Sequence, residues 1–300
     1  MKLSLVVPAT DDPPTLARCL EAVRAASEPP DELIVVTTPR RACPATARND
    51  GATRATGDVL VFLDSDVLPH PDAFARIRAA FAENGDLVAV FGSYDDRVVT
   101  TGLVAGFRNL LHHTVHQRSA GDATSFWAGL GAVRADAFAA VEGFDERRYP
   151  TASIEDVELG GRLAGRGRLV LDPELQGTHL KEWTLGSMIA TDFFRRGVPW
   201  VELMADRGEV PATLNVGPRE RASALAALLA AVALVRGRRM TAAAAVAAGV
   251  ALNLDLYRAV ERRLGARGLA AAVPLHVLHQ LVGIAAVPFG LAASLRRRAR

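Results

Sequence analysis

Short apolar runs alternate with amphipathic segments through the first third of the chain. The runs are bounded by polar residues or proline, which is typical of buried strands. They cover residues 3–7, 33–36, 59–63 and 87–91. The segments between them are predicted helices at residues 13–23, 45–55 and 71–82. Because strands that alternate with helices form βαβ units, the pattern predicts a parallel sheet covered by helices on both faces.

The pattern is less regular beyond residue 92. Further helices are predicted over residues 134–141, 154–164 and 183–196, and a short strand over residues 168–171. Residues 210–218 contain two prolines and a glycine and are a predicted linker. We therefore expect a catalytic domain at residues 1–210 and a separate helical tail at residues 219–300.

The predicted tail is apolar and basic. From residue 219 onward it has 13 Arg and three acidic residues, so its formal charge is +10 in a chain of net charge +2. Its apolar stretches are residues 222–235, 241–254 and 269–295. Basic clusters beside apolar stretches are typical of segments that bind a membrane surface. Nucleic acid is not expected as a partner, because the basic clusters alternate with long apolar runs.

The tail's position in a membrane stays open at this level. Two of its stretches have 14 residues each, whereas spanning a bilayer takes about 20. The third is long enough, yet it contains His276, His279, Gln280 and two prolines. Interfacial helices, re-entrant helices and a returning hairpin all fit, and a solvated helical bundle is the alternative to membrane binding. Since only a short apolar run follows Lys2, no signal peptide is expected, and the catalytic domain should lie at the cytoplasmic face.

Two carboxylates directly follow the third predicted strand. Ligands of parallel sheets bind outside the carboxyl ends of the strands, where Asp64 and Asp66 are expected. Two acids separated by one residue can share Mg²⁺ or Mn²⁺, which would also contact substrate phosphates. The alternative is an acidic turn or a helix cap.

Three other groups are candidates for chemistry. Asp156, with Glu155 beside it, could be a general base near a cleft, although Ser153 and Asp156 also resemble a helix capping box. His179 could complete a metal site begun by Asp66, or it could be a hydrogen-bonded loop residue. Arg195 and Arg196 could neutralise a pyrophosphate leaving group, or they could form a solvated helix face.

His112, His113 and His116 are expected to form an exposed cluster with surface or acceptor-side roles.

Taken in order, these features resemble the family 2 inverting glycosyltransferases with the GT-A fold, over about residues 3–200. The matching segments are Leu3-Ser-Leu-Val-Val-Pro8, Ala47-Arg-Asn-Asp-Gly-Ala52, Phe62-Leu-Asp-Ser-Asp66, Ala128-Gly-Leu-Gly-Ala-Val-Arg134 and Glu155-Asp-Val-Glu-Leu159. The third of these is similar to the family's Asp-x-Asp element. The resemblance implies a GT-A-like, Rossmann-like α/β fold with a mixed, mainly parallel sheet, here followed by a C-terminal hydrophobic helical region.

The resemblance also implies a divalent cation, Mg²⁺ or Mn²⁺, and a nucleotide-diphosphate sugar as donor. Asp64 would contact the ribose and the metal, and Asp66 the metal and the diphosphate. His179 would be a third metal-side contact. Asp156 would be the general base, supported by Glu155.

The remaining residues implied by the resemblance bind the donor. They are Pro8, Thr10, Thr37, Arg48, Arg195 and Arg196. The second predicted strand ends in Thr37-Thr38-Pro39-Arg40 where the family usually has an Asp-Asp-Gly-Ser type of turn, so the nucleotide is not specified. Residues 193–200 lack the Gln of the Gln-x-x-Arg-Trp element of processive relatives, so polymer synthesis is not expected.

The expected reaction is the inverting transfer of a hexose to a hydroxyl of a lipid-linked acceptor or a cell-envelope glycan. A catalytically inactive membrane-bound scaffold with this fold is the alternative from another class. A nucleotidyltransferase is the alternative enzyme, but it would open with a Gly-rich phosphate loop. Pro8-Ala-Thr-Asp-Asp-Pro13 has no glycine.

Overall fold

The computed structural model describes residues 1–210 and 214–299. The chain forms two compact units. The first comprises Met1–Val99 and His116–Lys181, and the second comprises Thr100–Val115 and Glu182–Arg300. Of the predicted linker, residues 211–213 lie outside the described residues, and Leu214–Val216 forms a single 3₁₀ turn.

Within the described part of the chain, the first unit contains one eight-stranded sheet. Its strands are β1 (Leu3–Pro8), β2 (Glu32–Val36), β3 (Val59–Leu63), β4 (Val67–Pro69), β5 (Leu87–Tyr94), β6 (Gly121–Ala123), β7 (Leu130–Arg134) and β8 (Arg168–His179). The strand order is β2-β1-β3-β7-β5-β8-β4, and β6 also pairs with β8. Strands β1, β2 and β3 are mutually parallel, as are β5 and β8, while β4, β6 and β7 run antiparallel to their neighbours. The mixed, mainly parallel sheet expected from the resemblance is confirmed.

Helices flank the sheet and make up most of the second unit. In the first unit they are α1 (Leu16–Arg24), α2 (Pro44–Arg54), α3 (Ala73–Glu83), α5 (Ala135–Ala140) and α6 (Glu155–Leu163), and α4 (Leu103–Arg118) crosses the boundary between units. In the second unit they are α7 (Leu185–Ala190), a π-helical segment (Thr191–Gly197), α8 (Val198–Arg207), α9 (Pro218–Val235), α10 (Arg239–Leu252) and α11 (Leu254–Arg298).

The core of the first unit lies on both faces of β1 and β3. Every residue of β3 is buried, because β3 has a neighbouring strand on each side and packed side chains above and below. On one face, Leu5 and Val61 belong to the cluster that contains Phe74 of α3. On the other face, the Phe62 ring contacts the Phe144 ring at a centroid distance of 5.2 Å. This burial explains why the strand appears in the sequence as a continuous apolar run rather than an alternating one.

The largest departure from the predicted elements is β8. The apolar pattern predicts a strand that ends at residue 171, because Asp172 and Pro173 interrupt it. The strand instead continues to His179 through an irregularity in its pairing with β5, and its last residues pair with β4. This continuation carries His179 to the edge where β3 ends. The helix predicted over residues 183–196 begins at Leu185 and is π-helical from Thr191 onward.

The first and third apolar stretches of the tail lie within α9 and α11, and all but the last two residues of the second lie within α10. Helix α11 is interrupted at Gly265, whose backbone has φ 64° and ψ −166°. Among the described helices, α11 alone is long and apolar enough to cross a membrane, and 17% of its most apolar 18-residue window is buried.

Candidate active site

The acidic pair of the Asp-x-Asp element lies at the carboxyl end of β3. The Asp64 amide donates to the Gly129 carbonyl at 3.0 Å, and the Val67 amide donates to the Asp64 carbonyl at 3.0 Å. These bonds fold the chain into a tight turn between β3 and β4. Both side chains remain partly accessible, with 32% of Asp64 and 26% of Asp66 exposed.

His179 lies beside Asp66. The pairing of β4 with β8 brings them together: Val67 is in register with His179, and the Leu180 amide donates to the Asp66 carbonyl at 2.8 Å. His179 Nε2 is 3.6 Å from Asp66 Oδ2. The imidazole is buried and stacks on the Tyr94 ring at 4.0 Å between centroids, which fixes the plane of the imidazole ring. Burial raises the pKa of Asp66, but interaction with His179 outweighs it, so the pKa lies below its ordinary value.

A buried arginine joins the two acidic motifs. Arg48 on α2 donates to Asp64 Oδ1 at 2.7 Å and to Glu155 Oε1 at 2.9 Å. Burial lowers the pKa of the guanidinium, but the neighbouring carboxylates raise it further, so Arg48 stays charged. Helix α2 can lie this close to the sheet because of Gly51, where a Cβ would be 2.3 Å from a methyl group of Val6.

Asp64 is under opposing influences. Burial raises its pKa, Arg48 lowers it, and the charge of Asp66 raises it again, with a net upward direction. Because nearly a third of the side chain is exposed, solvent weakens these effects. An Asp64 that bound a cation would therefore share its carboxylate with Arg48.

The capping box predicted from Ser153 and Asp156 is wrong. The residue that caps α6 is Ile154, and no side chain makes the cap hydrogen bond. The Ser153 amide instead donates to Glu155 Oε2 at 2.8 Å. Helix α6 begins one residue later than the pattern predicts, so Asp156 is not at the third helical position that a capping box requires.

Asp156 is held by backbone amides. Its Oδ2 accepts from the Ala128 amide at 3.2 Å, and its Oδ1 accepts from the Val157 amide at 2.8 Å. Burial and the nearby charge of Glu155 raise the pKa of Asp156 to about 6. Glu155 is neutralised by Arg48, so the two adjacent acids have different environments. Such a separation of roles is typical of catalytic carboxylates.

The approach of α6 to residue 128 depends on Gly160. A Cβ at this position would be 2.1 Å from the Phe126 amide nitrogen and 2.3 Å from the Ser125 carbonyl carbon. Any other residue would push the helix away from this segment. The glycine therefore sets the distance at which the Ala128 amide reaches Asp156.

Two of these side chains fit a divalent cation. Among the described residues, no group of three or more His, Cys, Asp or Glu is placed to hold a metal. Asp66 and His179 nevertheless offer a carboxylate oxygen and an imidazole nitrogen 3.6 Å apart at an accessible edge. Mg²⁺ and Mn²⁺ sites in phosphate-using enzymes often have few protein ligands, and phosphate oxygens and water supply the others.

Residues 34–140 match the model of glycosyl transferase family 2. Over these residues, about a third of the chain, the sequence is similar to the family 2 glycosyltransferases. A mannosyltransferase of Pyrobaculum calidifontis, solved with GDP-Man and Mn²⁺, is 18% identical over 97% of this chain and 87% of that chain, with a TM-score of 0.57. The likeness shows that the two share the GT-A fold.

Two other solved structures are more distant. A TarS fragment of S. aureus is 13% identical over 95% of this chain and 91% of that chain, with a TM-score of 0.47. A glucosyl-3-phosphoglycerate synthase of Mycobacterium tuberculosis is 18% identical over 63% of this chain and 75% of that chain, with a TM-score of 0.42. No curated protein sequence matches the chain.

The other expected donor-side residues of the glycosyltransferase are dispersed. Pro8 ends β1, and the Thr10 hydroxyl donates to the Ala42 carbonyl at 2.9 Å, which ties together the loops after β1 and β2. Thr37 is exposed just beyond β2. Arg195 and Arg196 lie in the π-helical segment, which belongs to the second unit.

Sequence reasoning missed two residues of this cluster. Tyr94, the last residue of β5, stacks on His179, and Lys181 follows His179 by two positions. Neither belongs to a motif. The extension of β8 brings His179 against Tyr94 and Lys181 towards the turn of the acids. The exposed histidine cluster is also wrong in part: His116 is buried, and its Nδ1 is 2.9 Å from the Gly92 carbonyl.

The raised pKa of Asp156 predicts how activity depends on pH. A carboxyl that must be ionised to accept a proton is active above its pKa, so kcat/KM should rise with pH up to about 6 and then level off. The measurement is a pH profile of sugar transfer from about pH 5 to about pH 8 at saturating metal. A profile that is already flat at about pH 5 would mean that Asp156 is not the group that titrates.

Proposed function

We propose that this family 2 glycosyltransferase moves a hexose from a nucleotide-diphosphate sugar to an acceptor hydroxyl, with inversion at the anomeric carbon. The observation that carries the proposal is Asp156. It is a carboxyl with a pKa of about 6 that is held by two amides. Its neighbour Glu155 is bonded to Arg48, which is also bonded to Asp64.

In the proposed reaction Asp156 takes the proton of the acceptor hydroxyl. The acceptor oxygen forms a bond to the anomeric carbon while the bond from that carbon to the diphosphate oxygen breaks, and the nucleoside diphosphate leaves. A single displacement places the new bond on the opposite face of the sugar. Glu155 supports Asp156 indirectly, because its ion pair with Arg48 keeps the start of α6 in place.

The proposed cation is Mg²⁺ or Mn²⁺, held by Asp66 and His179, with Asp64 contributing where Arg48 allows. When bound, such an ion stabilises the negative charge that develops on the departing diphosphate. The P. calidifontis mannosyltransferase, solved with GDP-Man and Mn²⁺, supports this choice. Pro8, Thr10, Thr37, Arg48, Arg195 and Arg196 are proposed to bind the donor.

The proposed site of action is the cytoplasmic face of a membrane, to which residues 219–300 attach the catalytic domain of residues 1–210. The burial pattern of α9 and α10 supports attachment. Their buried residues are small ones such as Ala227 and Ala245, whereas large apolar residues such as Leu225, Leu229 and Met240 are exposed. A water-soluble protein buries its large apolar residues, and small residues at helix contacts are typical of membrane helices. A lipid-linked acceptor or a cell-envelope glycan would be reached from this surface.

Membrane attachment predicts co-flotation of the protein with vesicles that contain anionic phospholipid. Replacing Leu225, Leu229 and Met240 together by Ser should reduce the floated fraction severalfold, since each exposed apolar side chain contributes about 1.5–3 kcal/mol when buried. The matched control is Leu33→Ser, which removes a partly exposed leucine of β2 in the first unit. A wild-type chain that stays soluble and monodisperse without detergent or vesicles would contradict the attachment.

The test of the reaction is product analysis of the purified protein in detergent with UDP-, GDP- and dTDP-sugars. We expect release of the nucleoside diphosphate from one donor, loss of release with a chelator, and recovery with Mn²⁺ or Mg²⁺. Release of pyrophosphate would identify a nucleotidyltransferase instead. Tight nucleotide binding without turnover in the presence of candidate acceptors would support the inactive scaffold.

A further inference from the structure

We infer that Lys181 binds the diphosphate of the donor directly. The inference rests on the proposed function and adds a residue to it. It starts from composition: of the 35 basic residues in the chain, only Lys2 and Lys181 are lysines, and 33 are arginines. In a chain that uses arginine almost everywhere, a lysine at the active edge of the sheet is a specific choice of side chain.

The position of Lys181 is set by the end of β8. The strand ends at His179, and the Leu180 amide donates to the Asp66 carbonyl at 2.8 Å. Lys181 is the next residue, so its backbone lies beside the turn that carries Asp64 and Asp66. Lys181 is exposed. Its positive charge lowers the pKa of both carboxyls, as expected for an amine close to the pair.

The carboxylates of the site outnumber its basic side chains. Asp64, Asp66, Glu155 and Asp156 supply four carboxylates, against which Arg48 and Lys181 are the cations of the cluster. Each acid of the Asp-x-Asp element already has a basic partner, Arg48 at 2.7 Å on Asp64 and His179 at 3.6 Å on Asp66. A diphosphate and a divalent ion bring roughly equal and opposite charge, so the site stays negative with the donor bound. A lysine ammonium at its edge offsets part of this charge where the diphosphate would lie.

The choice of lysine over arginine has a physical reason. A guanidinium forms bidentate pairs with carboxylates and would compete for Asp64 and Asp66. An ammonium is a compact point charge with three donors, so it can contact phosphate oxygens without fixing a carboxylate in one geometry. Lysine therefore suits a position that must serve the diphosphate beside acids that are needed for the metal.

The scarcity of lysine also supplies the test. Reductive methylation of the full chain in detergent labels Lys181, Lys2 and a free N-terminal amine, and fragmentation of the peptides by mass spectrometry reads each separately. Lys2 is an internal control, because its Nζ bonds to Thr56 at the opposite end of β1. With Mn²⁺ and UDP or GDP at about ten times the Kd, the rate at Lys181 should fall about tenfold while the rate at Lys2 stays unchanged.

Three outcomes would overturn the inference, and they are distinguishable. If calorimetry shows nucleotide binding but Lys181 is labelled at the same rate, the inference alone fails. If Mn²⁺ without nucleotide protects Lys181 equally well, the lysine serves the carboxylates and not the diphosphate. If no nucleotide binds at all, the proposed function fails together with the inference.

Variants provide the second measurement. Lys181→Met should weaken binding of the nucleoside diphosphate about 10–100-fold, the range for a hydrogen bond to a charged group. It should leave binding of the free nucleoside unchanged, which excludes a folding defect. Lys181→Arg should restore the diphosphate affinity only partly, and Lys2→Met should change neither. Equal loss of diphosphate and nucleoside affinity in Lys181→Met would contradict a direct contact.

Discussion

Replacing Asp156 by Asn should lower the rate of sugar transfer by about three orders of magnitude while donor binding stays intact. Asn has the shape of Asp and can still accept a hydrogen bond from the Ala128 or the Val157 amide, so α6 should keep its place. An amide cannot take the acceptor proton at neutral pH. The defect should therefore appear in kcat, with the KM for the donor nearly unchanged, and the step in the pH profile at about 6 should disappear.

The chain offers a matched control for this variant. Asp136 lies in the first turn of α5, as Asp156 does in α6, and its carboxylate accepts the next amide, that of Ala137, at 2.7 Å. It differs in being exposed. Asp136→Asn should leave the transfer rate within about twofold of wild type, since isolated surface substitutions have small effects. If Asp156→Asn were equally mild, another group would have to be the base.

The fold could be predicted where apolar runs are continuous. Strands β1 and β3 are buried on both faces, so nearly all of their residues are apolar and their bounds follow from the sequence. Strands β4 and β6 have three residues each, too few to produce a pattern. The antiparallel direction of β7 depends on which strands it pairs with, and no local periodicity encodes that choice.

The candidate site could be proposed from the sequence as a set of residue types, whereas the contacts among those residues could not. The sequence indicates that Asp64, Asp66 and Asp156 are chemically important. It gives no sign that Arg48 links Asp64 to Glu155, because that pairing depends on how α2 and α6 approach the sheet. The same reason applies to Lys181 and to the contact between Tyr94 and His179, since both depend on the continuation of β8 past Pro173. The type of each residue can be read from the sequence. The neighbours that shift its pKa come from distant parts of the chain and are known only once the chain is folded.

The two acidic motifs differ in a way that suits the two roles proposed for them. Asp66, with a lowered pKa, is ionised at neutral pH and suited to a cation. Asp156, with a pKa of about 6, changes charge close to neutral pH and is suited to proton transfer. Arg48 lies between them and is bonded to a member of each motif. Its fixed charge also lowers the pKa of Asp156, but burial and the charge of Glu155 outweigh this effect.

Replacing Asp66 by Ala should abolish tight cation binding. The variant removes the carboxylate that lies 3.6 Å from His179 Nε2 and leaves the imidazole as a single ligand at that position. We expect Mn²⁺ affinity, measured by the loss of the free-ion signal in electron paramagnetic resonance, to fall by at least about 100-fold. Transfer should fall by about three orders of magnitude, since a bound cation contributes several kcal/mol to the stabilisation of a leaving diphosphate.

The control for Asp66→Ala is Asp72→Ala. Asp72 is an exposed acid close by in the sequence, paired with Arg76 at 2.7 Å, and its loss should leave Mn²⁺ affinity unchanged. A second variant, His179→Asn, separates the two ligands: if both hold the ion, it should also weaken Mn²⁺ binding, and the double variant should be little worse than Asp66→Ala alone. If the two variants reduced Mn²⁺ affinity additively, Asp66 and His179 would not be ligands of the same ion. Unchanged Mn²⁺ affinity in Asp66→Ala would instead assign the cation to Asp64, which would then have to exchange its 2.7 Å contact with Arg48 for the metal.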